Sequence, residues 1–158
     1  MIPPLGSSSS PTPLNIAHRG ARSLAPENTL AAARKALAAG AHMWELDVAM
    51  SADGELVVMH DRTLTRTSNA RDLFPERSPW WVHEFTIEEL RRLDCGSWFL
   101  AGDPFGQLRA GSISPEVARS YVGEPVPTLS EALRFTRRHE WSVNIEIKDL
   151  RSTFGHER

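Results

Sequence analysis

The sequence predicts an α/β protein built on a parallel sheet, and three observations carry that reading. Strand-like apolar runs alternate with helical patterns as strand, helix, strand and then, after an irregular stretch, helix, strand. Residues able to do chemistry gather at the C-terminal ends of the strand-like runs, where parallel α/β sheets place their sites. The length of 158 residues is that of one domain, and a hydrophobic content of 41% is enough for a core.

The first 13 residues hold four Pro and four Ser and read as a flexible lead-in, so the folded domain is expected over 14–158. LNIAH is a short buried strand that ends at His18, with Gly20 opening the loop. PENTLAAARKALAAG is a helix: Pro26, Asn28 and Thr29 supply start signals, Ala and Leu fill the interior, and Gly40 stops it in a left-handed conformation. MWELDVAM is the next strand. Asp53-Gly54 then signals a two-residue hairpin, which would pair Ala52 with Glu55 and, further down, Asp47 with His60; a three-residue loop would shift this register by one. Residues from about 66 to 127 look like an insertion with one clear short helix, TIEELRRLD, where Thr86 and Glu89 form a capping box. The same signature returns at Thr128 and Glu131 with Leu129, Ala132, Leu133 and Phe135 at helical spacing, before the final strand WSVNIEIKD.

Composition excludes several classes of function. With 18 Lys+Arg against 20 Asp+Glu and a net charge of −2, the chain has no basic footprint for nucleic acid or an anionic membrane. A single Cys excludes an internal disulfide or a Cys-based metal cluster, and Cys95 reads as a core residue. No run approaches the roughly 18 apolar residues of a membrane span, and the N-terminus lacks the pattern of a secretory signal, so a cytoplasmic protein without a transmembrane segment is expected.

Four clusters could carry chemistry: His18-Arg19-Gly20, Glu45-x-Asp47, His60-Asp61 and Glu146-x-Lys148. Each has an ordinary reading when taken alone. His18 could be a satisfied loop histidine, Glu45 and Asp47 an exposed strand edge, His60-Asp61 a turn, and Glu146 with Lys148 a surface ion pair. Strand alternation nevertheless puts Glu45 and Asp47 on one face and Glu146 on the same face as Lys148, with Leu46 and Ile147 toward covering helices. Three converging carboxylates repel one another, and a hard divalent cation, Mg²⁺ or Ca²⁺, relieves that repulsion. Such a site suits a phosphodiester: Arg19 and Lys148 bind phosphate oxygens, while His18 and His60 divide the proton transfers. Trp80, Trp81, Trp98 and Phe99 could cage a choline headgroup, but such residues are more often the core of an inserted subdomain. His42, His83, His139 and His156 have no convergent partners and read as structural or exposed.

Read in order, HRG, PENT, GA, E-x-D-V, D-G, V-x-HD, T-x-E-x-L, L-D-x-G-S-W-F, P-T-L-x-E-A-L and E-I-K resemble the N-terminal pattern of the glycerophosphodiester phosphodiesterase family, from Ile16 to Asp149. The resemblance implies Glu45, Asp47 and Glu146 as metal ligands, His18 and His60 as the acid–base pair, and Arg19 and Lys148 on the phosphate. Glu27 would be a supporting residue. It also implies hydrolysis of a small-molecule glycerophosphodiester to sn-glycerol 3-phosphate and an alcohol, through attack of the glycerol 2-hydroxyl and a cyclic phosphate. The implied fold is a partial TIM (β/α)8-type barrel: full barrels run to roughly 250 residues, and this chain would supply the first three strands with a small inserted subdomain. A truncated barrel has open edges, so self-association is expected too. Two alternatives stay open, a phospholipase-D-like activity on lysophospholipids and an inactive metal- or phosphate-binding fragment.

Overall fold

A computed structural model describes residues 13–148. All but the last residue of the Pro/Ser lead-in, and His156 with the rest of 149–158, lie outside the described residues. The sheet is built around β2 (Met43–Met50). β1 (Ile16–Ala17) runs parallel to the start of β2, pairing Ile16 with Met43. β4 (Ser142–Ile147) runs parallel to it from Met43 opposite Ser142 to Val48 opposite Ile147. β3 (Leu56–Val58) is antiparallel to its end. Met43 pairs with both β1 and β4, and Val48 with both β3 and β4, so β1 and β3 lie end to end on one edge of β2 and β4 on the other.

The hairpin register differs from the two-residue expectation. Val48 faces Val58 and Met50 faces Leu56, so the strands are shifted by one and Asp47 is not opposite His60. Asp53 is the cause. A type I′ turn needs positive φ at both central residues, but here only Gly54 has it, at +85°. Asp53 instead accepts the Ser51 hydroxyl at 2.7 Å and the Ile87 N–H at 3.0 Å, and the loop widens to Ala52, Asp53 and Gly54. β3 stops at Val58, and His60 lies in the bend that follows.

Two helices cover the outer face of the sheet. α1 (Leu30–Ala38) starts where Thr29 accepts the Ala32 N–H and ends before Gly40, which takes φ +76°. α6 (Leu129–Arg138) starts with the expected capping box between Thr128 and Glu131. Trp44, Leu46 and Val48 alternate outward and are buried against Ala33 of α1 and Ala132 of α6. The Trp44 indole stacks on Trp141 at 6.1 Å and donates to Thr136 Oγ1 at 2.9 Å, which satisfies its one polar atom. Ile147, expected to face a helix, is 71% exposed; it ends the edge strand, and only Val143 and Ile145 of that face reach the core.

The segment from about 66 to 127 is more regular than its sequence suggests. It holds α2 (Ala70–Leu73), α3 (Ile87–Leu90), α4 (Ser97–Gly102) and α5 (Pro115–Arg119). All are too short to show a hydrophobic period, and the sequence marks only α3, through its capping box. This segment makes two cores. One buries Phe85, Leu90 and Cys95 against Val57, Met59 and Leu64. The other buries Phe99, Ala118 and Tyr121 against Ala31 and Ala32 of α1. Trp80 packs on the first core, Trp98 on the second, and Trp81 stacks with His83, so the aromatic residues are divided among separate contacts. Among the described residues no helix is long and apolar enough to cross a membrane.

Candidate active site

Register brings the carboxylates together. β4 pairs with β2 so that Glu146 lies beside Asp47, and Glu45 is two residues back on the same face. Oxygen atoms of Glu45, Asp47 and Glu146 lie within 4.8 Å of one another. Glu45 and Asp47 are buried and Glu146 is exposed. Lys148 follows on the same face, its Nζ at 2.8 Å from Asp47 Oδ1 and paired also with Glu146.

The loop after β1 is folded against this cluster by two residues with left-handed backbone, Arg19 at φ +58° and Gly20 at φ +76°. That turn aims the Arg19 N–H at Glu45 Oε2 (2.8 Å) and brings Arg19 Nε to 3.3 Å from Asp47 Oδ2. His18, half-exposed, stands with Nε2 at 3.8 Å from Glu45 Oε2. Asn28 is also left-handed, a conformation asparagine tolerates, and its N–H donates to the Arg19 carbonyl at 3.0 Å. Its amide donates to Asp47 Oδ2 at 2.8 Å and accepts the Asp47 N–H at 3.2 Å.

His60 reaches the site from the bend after β3. Its Nδ1 lies 2.6 Å from Asp61 Oδ1. Arg66 donates to both Asp61 and Glu27, and Glu27 also accepts from Arg19 Nη1 at 3.0 Å. The structure therefore gathers all eight site residues expected from sequence: His18, Arg19, Glu27, Glu45, Asp47, His60, Glu146 and Lys148. Sequence reasoning gives Asn28 and Arg66 no place in the site, and Asp61 no role of its own within the His60-Asp61 cluster. In the sequence Asn28 is only a helix start signal, Asp61 only the neighbour of His60, and Arg66 only the edge of the insertion.

The electrostatics divide the carboxylates. Burial, resisted by the Arg19 N–H and reinforced by the Asp47 charge, raises the Glu45 carboxyl above its ordinary range. Burial also acts on Asp47, but the Asn28 amide and the Lys148 ammonium outweigh it and hold that carboxyl low. Lys148 is desolvated too, yet its two carboxylate partners raise its pKa. Glu45 Oε1 is buried without a hydrogen bond, and Asp47 Oδ1 is buried with the Lys148 ammonium 2.8 Å away. An unsatisfied buried carboxylate oxygen is costly. An all-oxygen set with such an atom on Glu45 fits a hard divalent cation, so Glu45, Asp47 and Glu146 could hold one.

The chain is similar to known proteins in sequence and in fold. The model of the glycerophosphoryl diester phosphodiesterase family matches residues 18–158. The chain is 38% identical over 138 residues to a glycerophosphoinositol inositolphosphodiesterase of Mus musculus, covering 87% of this chain and 25% of that protein. It is 39% identical over 135 residues to a glycerophosphodiester phosphodiesterase of Caldanaerobacter subterraneus, covering 85% and 45%. Among solved structures, a glycerophosphodiester phosphodiesterase from Agrobacterium tumefaciens superposes with TM-score 0.66 at 37% identity, over 88% of this chain and 48% of that one. An Oleispira antarctica phosphodiesterase in complex with the product sn-glycerol-3-phosphate does so with TM-score 0.66 at 32% identity, over 86% and 44%. These structural neighbours are TIM barrels, and the sheet described above is a partial barrel of that kind. The chain thus spans from a quarter to just under half the length of these four relatives. By the extent of the family match, which takes in residues 18–158, the chain belongs to the glycerophosphoryl diester phosphodiesterase family.

Proposed function

We propose that this chain carries the catalytic groups for cation-dependent hydrolysis of glycerophosphodiesters to sn-glycerol 3-phosphate and an alcohol. The observation that carries the reading is the convergence of three carboxylates, with Glu45 Oε1 buried and unbonded, beside Arg19, Lys148 and two histidines. Glu45, Asp47 and Glu146 are the residues that would hold Mg²⁺ or Ca²⁺, and a divalent cation there supplies neutralisation of charge on the phosphate oxygens.

Arg19 offers a planar donor fork to the same oxygens, and Lys148 adds a point charge as negative charge builds at phosphorus. One of the two histidines takes the proton of the glycerol 2-hydroxyl as that oxygen bonds to phosphorus. The other gives a proton to the alcohol oxygen as its bond to phosphorus breaks. Water then opens the cyclic phosphate with the two histidines in exchanged roles. The contact of His60 Nδ1 with Asp61 supports Nε2 as its proton-transferring atom.

Release of sn-glycerol 3-phosphate from glycerophosphocholine by the wild-type chain, His18→Ala and His60→Ala tests this reading. Each substitution should lower turnover about a hundredfold to ten-thousandfold, the ordinary contribution of a positioned acid or base. Turnover retained by both variants would overturn it.

A further inference from the structure

Arg66 holds two carboxylates at once. Its Nε and Nη2 donate to Asp61 at 2.7 and 3.0 Å, and its Nη1 and Nη2 donate to Glu27 at 3.0 and 2.7 Å. Every nitrogen of the guanidinium is used, in the two-sided fork that only arginine can offer. The two carboxylates come from different parts of the chain. Glu27 lies buried in the turn before α1, where Arg19 also donates to it, and Asp61 lies in the bend after β3 against His60. Half-exposed ion pairs contribute at most about 1 kcal/mol to stability, and the Arg66 side chain is 44% exposed, so the larger value of this arrangement is geometric.

We propose that Arg66 is a positioning residue: braced on Glu27, it fixes the Asp61 carboxylate against Nδ1–H of His60 and so leaves Nε2 turned toward the reacting phosphodiester. This rests on the reading of His60 as a proton-transfer group. A carboxylate held by a guanidinium fork has one orientation, whereas a free aspartate has several, and a histidine facing the latter samples both tautomers. Arg66 also ties the His60 side of the site to the Arg19 side, because both arginines share Glu27.

The test uses the full chain with ¹⁵N-labelled histidine, reading the His60 tautomer by long-range ¹H–¹⁵N spectra alongside turnover of glycerophosphocholine. Wild type should show His60 as the Nδ1–H form when neutral. Arg66→Met and Arg66→Lys should both shift it toward a mixture, since lysine keeps the charge but not the fork, and kcat should fall about ten- to a hundredfold. In the Asp61→Ala background, Arg66→Met should add no further loss, because its effect passes through Asp61. An unmoved tautomer, full recovery in Arg66→Lys, or losses that multiply in the double variant would each overturn the proposal. Should Arg66→Met not fold, Arg66→Lys carries the same comparison. The spectra are read whether or not the chain turns over: absent turnover in wild type with a responsive tautomer fails the proposed activity and sustains the positioning role, while wild-type turnover with an unmoved tautomer does the reverse.

Discussion

Replacing Gly20 with alanine probes the joint between the first strand and the first helix. Gly20 sits at φ +76°, and a Cβ there would lie 2.7 Å from both the carbonyl carbon and the Cβ of Ala32, atoms that cannot swing aside. Two costs add. Left-handed backbone disfavours alanine by roughly 1–2 kcal/mol, and forcing a methyl into a packed contact costs about 1–3 kcal/mol. Gly54→Ala is the internal control, because Gly54 has φ +85° but nothing within 4 Å of its would-be Cβ. Both substitutions remove similar freedom from the unfolded chain, so that contribution cancels in the comparison. The difference between the variants isolates the steric contribution, about 1–3 kcal/mol, which for a domain of this size lowers the melting midpoint of Gly20→Ala by about 2–12 °C below that of Gly54→Ala. Urea and thermal unfolding followed by tryptophan fluorescence measure it. Gly20→Ala should also weaken turnover, since the turn aims the Arg19 N–H at Glu45. Equal midpoints for the two variants would refute the reasoning that α1 presses directly on this loop.

Acid should weaken the fold through Asp61 in a defined window. Burial opposes its ionisation, but Arg66 and His60 hold its carboxyl down to about 2, so the stability it contributes is complete above the unfolded value near 4 and is lost as pH falls from there toward 2. With solvent screening at the half-exposed Arg66, wild type should exceed Asp61→Asn by about 1 kcal/mol at pH 6 and by nothing near pH 2, read from urea midpoints; a constant difference would contradict this. Burial, with the charges of Asp94 and Glu124, pushes the Cys95 thiol up to about 12, so a thiol reagent at pH 8 should label it only after unfolding; rapid labelling of the native chain would count against the packing described. Thr128→Ala removes the cap of α6 and should cost about 0.5–2 kcal/mol in urea unfolding, against no change if the capping box is idle.

What could be read from the sequence and what could not follow from the range of the interactions involved. α1 and α6 were legible because Thr29, Gly40, Thr128 and Glu131 act on backbone groups a few residues away. The carboxylate trio was legible because strand alternation alone sorts Glu45 and Asp47 from Leu46. The hairpin register was not, because Asp53 bonds Ser51 and the distant Ile87 in place of taking positive φ. The roles of Asn28, Asp61 and Arg66 are hidden for a similar reason: Asn28 meets Asp47 only when the loop after β1 folds over β2, and Arg66 joins Asp61 to Glu27 only when the loops after β1 and β3 are folded together. Asparagine offers both a donor and an acceptor and tolerates left-handed backbone, which was the available signal for Asn28. For Arg66 the signal was an arginine five residues beyond Asp61, too common a spacing to single out.

Release of sn-glycerol 3-phosphate from glycerophosphocholine by the 158-residue chain, compared with and without chelator for wild type and Glu45→Gln, tests the proposed chemistry most directly. We expect release by wild type with Mg²⁺ or Ca²⁺, its loss on chelation, and its loss in Glu45→Gln at the same cation concentration. Release that survives both the chelator and Glu45→Gln, or no release by wild type with cation present, would contradict it.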